Sequence, residues 1–309
     1  MDMLNTLFSE ADLYALELWI GDWSFVIALV VFGLELLRLA IKKMLSWNIL
    51  GDAVTNFITL AAFGAINIVV LLSAYLLIYF YVYEHFSITQ LPNTGWTLLG
   101  CLLLADMAYY WEHRFAHRVN VAWSTHTVHH SSPHFNISVA YRFGPLDGFF
   151  PIFFHLPLVM LGFHPFMVFL CEAIVQIYQT LLHTEAVGKF PRPIEAVMNT
   201  PSHHRVHHGS NRQYIDKNYA GILIIWDRMF GTFAREEEKV RYGVLPPINS
   251  INPIKVFCHG YWKLFQQLGK SRSVSDFMGY LFKPPGWQPA DVIAAKQAAK
   301  KAAAEKATA

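Results

Sequence analysis

The sequence predicts an all-α integral membrane protein: a helical bundle of three spans plus a helical hairpin, with a histidine-rich helical cap on the cytoplasmic side. Three observations carry this: apolar stretches of bilayer length, a charge distribution that orients them, and histidines gathered in the polar segments. Of the 309 residues, 54% are hydrophobic and 15% charged, and the mean hydropathy is +0.31. A soluble domain carries about a quarter of its residues as charges. A net charge of +2 gives no reason to expect a nucleic-acid partner.

A bilayer core takes about 20 mostly apolar residues per helix. The first span is expected over residues 23–41, closed by Lys42 and Lys43. The second is expected over 54–83, long enough to tilt or protrude, and the third over 96–111, short but strongly apolar until Asp106. Residues 145–180 are apolar for long enough to form two helices, and Gly162 and Pro165 break them into a hairpin over 145–183. The N-terminal residues are acidic and lack a small-residue cleavage site, so the first span, and not a removable signal peptide, is expected to insert the chain. Arg38, Lys42 and Lys43 are the only basic residues before Arg114, and the loop 84–94 has none. The positive-inside rule then places the N-terminus outside, and the histidine clusters and the C-terminus in the cytoplasm, of a bacterial inner membrane or endoplasmic reticulum. Three regions follow: N-terminal membrane helices over 1–100, a central domain over 101–235 that includes the hairpin, and a cytoplasmic C-terminal segment over 236–309. The last ends in an Ala/Lys-rich tail, helical or disordered, after Pro284, Pro285 and Pro289. Cys101, Cys171 and Cys258 are too scattered to suggest a disulfide framework.

Histidine accounts for 15 residues, and most are clustered. His113 and His117 are four apart on a helix that prolongs the third span, so both rings leave one face. His126, His129 and His130 repeat the spacing of His204, His207 and His208, and His203 adjoins the latter set. On a helix each triplet is expected to present three nitrogens to one metal region. So many neutral imidazoles in one volume need a cation to organise them. Eight donors are about twice what one zinc uses, so two ions are implied, and nitrogen donors disfavour calcium and magnesium. Iron and zinc both remain compatible with imidazole. The isolated His85, His155, His164 and His259 read as hydrogen-bonded polar residues near a membrane interface.

The segments HRFAH, HTVHHSS and HHRVHHGSN resemble the HxxxH, HxxHH and HxxHH boxes of the fatty acid hydroxylase and sterol desaturase superfamily. Residues 101–233 carry the resemblance, and within the superfamily they look closest to the alkylglycerol monooxygenase branch and its bacterial relatives. The resemblance implies a non-haem centre of two Fe ions, with zinc able to replace iron in purified protein, and O2 as cosubstrate for hydroxylation or desaturation of a lipid. Carried over by motif, the ligands are His113, His117, His126, His129, His130, His204, His207 and His208, with His183 in QTLLHTE as a ninth. Hydroxylases of the superfamily often have a second histidine four residues before the last of these, where this chain has Gln179.

Ligating histidines usually donate their other ring nitrogen to a carboxylate or carbonyl. Asp106, Glu185, Asp216 and Asp227 are the candidate carboxylates, and Asn136, Gln179, His203 and Asn218 are expected to support the ligands from behind. No flavin, haem or nucleotide fingerprint is present, so electrons are expected from a redox protein, a reductase or a reduced pterin. In the branch resembled, hydroxylation beside an ether oxygen gives a product that breaks down to aldehyde and glycerol. The alternatives are a sterol or carotenoid oxidase of the same chemistry and, outside that class, a metal transporter or a zinc hydrolase. Transport predicts ionisable residues spread along the spans, whereas here they gather at one membrane edge.

Overall fold

A computed structural model describes residues 3–5, 7–67 and 72–308. Among the described residues the chain forms thirteen α-helices and no strand. The first, α1 (Glu10–Ile41), starts well before the expected apolar run, because Ser9 and Asp12 close a capping box at its N-terminus. It ends at Lys42 and Lys43, the latter with φ of 56°. The single long second span expected over 54–83 is two elements, α2 (Trp47–Ile66) and α3 (Leu72–Phe86), and residues 68–71 lie outside the described residues. Next comes α4 (Gly95–Arg118), which carries the third expected span and the first histidine pair on one continuous helix.

Box two begins on α5 (Asn120–His126) and finishes in a 3-10 turn, His129–Ser131; a second such turn covers Ile137–Tyr141. The hairpin is α6 (Pro151–Met160) and α7 (Pro165–Leu182). Its turn holds Gly162 at φ +102°, where a Cβ would lie 2.2 Å from the Thr89 carbonyl oxygen, so only glycine fits. Proline at the first position opens both hairpin helices, where its missing N–H costs nothing. Beyond lie α8 (Arg192–Val197), α9 (Pro201–His207), α10 (Ile225–Met229), α11 (Pro253–Leu268), α12 (Val274–Phe282) and α13 (Ala290–Thr308).

Among the described residues three helices are long and apolar enough to cross a membrane: α1, α2 and α7. The outer face of α1 exposes Trp19, Val26, Val30, Leu34 and Leu37, which suits lipid better than water. In α4 the apolar run is interrupted by Asp106 and Glu112, and these residues face into the protein. α7 packs along both α1 and α4, α6 lies across α3 and α4, and the core between them includes Tyr79, Cys101, Ala105, Leu158, Met167, Leu170 and Cys171. α11 packs against α5, α2 and α12. Its Gly260 is so close that a Cβ would meet the Ser124 carbonyl oxygen at 1.9 Å, which brings the C-terminal region directly against box two. The tail that closes the chain is the helix α13.

Candidate metal centre

Nine histidine rings converge where α4, α5, α7 and α9 meet, in two groups. His113, His117, His126, His130 and His207 form one, and His129, His183, His204 and His208 the other; within each, one ring nitrogen per residue lies within 4.8 Å of all the rest. The grouping cuts across the sequence motifs. Box two gives His126 and His130 to the first group and His129 to the second, while box three gives His207 to the first and His204 and His208 to the second. The expectation that each triplet serves one metal region is therefore corrected. Residues i and i+4 share a helical face, but i+3 lies about 100° round from i+4, and the two groups sit on either side of that angle.

The rings are aimed inward by what holds their outer nitrogens. His113 Nδ1 donates to the Tyr219 carbonyl at 2.9 Å, His207 Nδ1 to Lys217 at 3.0 Å and His183 Nδ1 to Gln179 at 2.9 Å. A carbonyl only accepts, so in these three rings Nδ1 carries the hydrogen and Nε2 turns a lone pair into the cluster. Nε2 of His204 lies 3.0 Å from that of His183 and 3.2 Å from that of His208. Nε2 of His126 likewise lies 3.1 Å from that of His113 and 3.2 Å from that of His130. One ring hydrogen cannot complete two such contacts. His207 Nε2 is buried with no protein partner at all, and an orphaned inward lone pair is what a cation would satisfy.

Burial lowers every one of these pKa values. His113 and His183 fall to about 4, and burial followed by mutual repulsion holds the other seven well below the usual imidazole range. At neutral pH the cluster is a set of uncharged nitrogen donors, the form that binds a transition metal. Two groups, of five and four nitrogens, fit two ions better than one.

The carboxylates work one step further out than the sequence suggests. Asp227 accepts from the backbone N–H groups of Tyr219 and Ala220 at 2.9 and 2.8 Å and from the Thr232 hydroxyl at 2.6 Å. Asp106 accepts from Ile222 N, Leu223 N and the Trp226 indole. Neither touches a histidine; both pin the segment whose Tyr219 carbonyl holds His113. Gln179 donates its amide to the carbonyls of Ala220 and Gly221 at 2.6 and 2.9 Å, so it ties α7 to the same segment. Asn218 links the carbonyls of His203 and Ala234, and Asn136 caps the turn at Ser138. Glu185 accepts from the Tyr242 hydroxyl at 3.0 Å. His203 turns toward Phe233 and Glu195, outside both groups. Among the described residues, Asp216 is the carboxylate within 4.0 Å of a ligand ring nitrogen, 3.9 Å from His117 Nδ1.

Some supporting residues escape a motif search. Buried Arg142 donates to the Val128 carbonyl, Asp52 and Asn56 at 2.9, 3.0 and 2.6 Å, and Ser132 donates to Asp52, so box two is tied to α2. Glu35, buried on α1, accepts from Ile137 N and the Thr184 hydroxyl. Ionisable residues inside apolar stretches were the available signal. His155, read as an interfacial histidine, is instead buried between Glu112 and Glu172.

Cavities reach the rings from two sides. One of about 350 Å³ is walled by Phe63, Tyr109, Tyr141, Phe143 and Phe150 and reaches His113, His126, His129, His183 and His204. The other, about 500 Å³, reaches His117, His130, His207 and His208 past Trp123, Asp216, Lys263 and Leu264.

Residues 97–232 match the family model described as fatty acid hydroxylase. Human alkylglycerol monooxygenase is 43% identical over 213 residues, 68% of this chain and 47% of that protein. Ornithine lipid hydroxylase of Rhizobium tropici is 34% identical over 49% of this chain and 45% of its own length. Human lathosterol oxidase is 26% identical over 44% of each chain. The chain thus spans about half the length of the curated relatives it matches. No solved structure matches it.

Proposed function

We propose that the chain, whose residues 97–232 match the fatty acid hydroxylase family model, is a membrane-bound non-haem di-iron oxygenase acting on a lipid C–H bond, an ether lipid being the substrate nearest to its relatives. The observation that carries this reading is the pair of inward-facing histidine groups, His113, His117, His126, His130 and His207 beside His129, His183, His204 and His208. Each group would hold one iron, and zinc would occupy the same nitrogens in protein purified in air. Iron bound there would supply the activation of O2 and the oxidation of the C–H bond.

The protein's own part is to hold, shape and exclude. Backbone carbonyls fix the tautomers of His113, His183 and His207, and burial keeps the rings neutral, so no proton competes for the ligand nitrogens at neutral pH. The aromatic walls of the smaller cavity, Phe63, Tyr109, Phe143 and Phe150, suit an alkyl chain and keep water from it. Removal of one hydrogen followed by hydroxyl transfer gives an alcohol, and removal of a second gives an alkene, so placement of the chain in that cavity decides the product. The cavity on the other side, past Trp123, offers an external electron donor its approach, whether redox protein, reductase or reduced pterin. The orientation that fits has the N-terminus outside and the histidines and C-terminus in the cytoplasm, in a bacterial inner membrane or the endoplasmic reticulum.

Metal analysis of protein purified without oxygen, joined to product analysis with an ether lipid, tests the reading. Two irons per chain and turnover that requires O2 are expected. Stoichiometric zinc with undiminished activity under nitrogen would defeat it.

A further inference from the structure

The two helices α11 and α12 pack on each other, and each buries one face and leaves an apolar one unpartnered. On α11, Val256, Gly260 and Leu264 are buried, and Gly260 meets the Ser124 carbonyl. Ile254, Cys258, Trp262 and Phe265 follow at intervals of four, four and three, which sets them together on the opposite side of the helix. All four are exposed, Ile254 by 74% and Trp262 by 64%. On α12, Gly279 packs under the Trp287 ring and Tyr280 is buried, while Val274, Phe277, Met278 and Phe282 are exposed on the other side. Single exposed apolar side chains are ordinary, but a set of them gathered on two adjoining helices marks a surface that something apolar covers.

The position of α11 indicates what that is. The Thr55 hydroxyl donates to the Ile251 carbonyl, and a Cβ on Gly51 would meet the Ile251 side chain at 2.8 Å. Thr55 is about two turns into α2, one of the helices long and apolar enough to span. α2 itself exposes Trp47, Val54 and Ile58 over that stretch. The chain therefore enters α11 at the level of the first turns of a span, where the lipid-facing surface continues onto it. Charge agrees with this placement. From Asn252 to Lys283 the basic residues are Lys255, Lys263, Lys270, Arg272 and Lys283, and the one acidic residue is Asp276. Long basic side chains beside an apolar face can reach phospholipid phosphates while the face lies below them.

We propose that α11 and α12 lie in the cytoplasmic surface of the bilayer as an interfacial pair, their apolar faces among the phospholipid acyl chains and their lysines at the phosphates. This rests on α2 spanning the bilayer, and not on the oxygenase reading. The protein-facing side of α11 puts Gly260, Lys263, Leu264 and Gln267 in the wall of the larger cavity, the one that reaches His117 and His130. A helix is about 10–12 Å across, so the lipid lies one helix diameter from that cavity.

Cys258 supplies the probe. It is exposed, whereas Cys101 and Cys171 are buried, so a nitroxide reagent added to the folded full-length chain attaches at position 258. The chain is held in phospholipid nanodiscs, one chain per disc. Collisions of the nitroxide with dissolved O2 and with a water-soluble nickel chelate, calibrated against spin-labelled lipids, give its depth. Labels at Cys258, and at Met278→Cys in a Cys258→Ser background, should sit about 5–10 Å below the phosphates. In the same background Gln266→Cys, on the polar edge of α11, should sit at or above the phosphates, and Ile58→Cys on α2 near the bilayer centre. A label in water at position 258 or 278, with position 58 at the centre, overturns the docking alone. Water at position 58 as well would end both the docking and the span of α2. Shielding of position 258 or 278 from both reagents means that protein covers the face and overturns the proposal; shielding that appears only with two chains per disc replaces it with a contact between copies.

Discussion

The two histidine groups are held in different ways. In the group of five, His113 and His207 lean on the carbonyls of Tyr219 and Lys217, and His117 faces Asp216, so its outer support comes from one loop distant in sequence. In the group of four, His183 donates to Gln179 in the preceding turn of its own helix, and Phe135 stacks on His183 and packs against His208. The first group is thus a long-range assembly with one donor to spare, and the second a local one with none. Redundancy of ligands and dependence on a loop run in opposite directions, so the two should fail under different insults.

The largest difference should come from removing ligands. His129→Ala with His204→Ala leaves two donors in the smaller group; bound iron should fall from two to one per chain and turnover by more than about a hundredfold, since even the outer partners of ligands are worth about 10–100-fold. His126→Ala alone leaves four donors in the larger group and should keep both ions. Equal metal loss in the two variants would erase the contrast.

Next in size is the response to acid of the metal-free protein. His113 and His183, one from each group, have folded pKa values lowered by burial from 6.5 to about 4. Between those limits the unfolded chain binds more protons than the folded one, so the stability they contribute is intact above pH 6.5 and is lost as pH falls toward 4. Denaturant midpoints taken from pH 7.5 to 4.5 should fall through that window. A flat profile would mean that the rings are solvated in the metal-free state.

The smallest effect sharpens the comparison most. Asp227→Asn weakens the clamp on Tyr219 and Ala220, at about 1–3 kcal/mol of stability. Chelator competition should show one ion released about 10–100-fold more readily and the other less affected, because the group of four meets that loop only indirectly, through the Gln179 side chain. Equal weakening of both ions would show that the clamp is shared.

The first span, the hairpin break at Gly162 and Pro165, and the membership of the histidine cluster were legible because each rests on local composition or spacing, whereas the second expected span is two helices and the third, on α4, is not among the helices long and apolar enough to cross a membrane. The partition of the cluster was not, since it depends on how α4, α5, α7 and α9 are brought together in space. The acceptors behind the rings were not legible either: Tyr219, Lys217 and Gln179 act through backbone carbonyls, which any residue possesses. Carboxylates were sought beside the ligands, and Asp106 and Asp227 instead order the backbone that reaches them. Glu112 and Glu172 did carry a signal, single charges inside apolar runs, and the same signal marks Glu35 and Asp52 in the first two helices.

The interleaving of the boxes has a thermodynamic consequence. His129 and His130 are adjacent in one turn, as are His207 and His208, yet each pair is divided between the two groups. An ion that settles in either group fixes the backbone that presents donors to the other, so the entropy of ordering box two and box three is spent once for both. Filling one group should therefore ease the filling of the other, and half-filled protein with both groups intact should be scarcer than two independent sites would give.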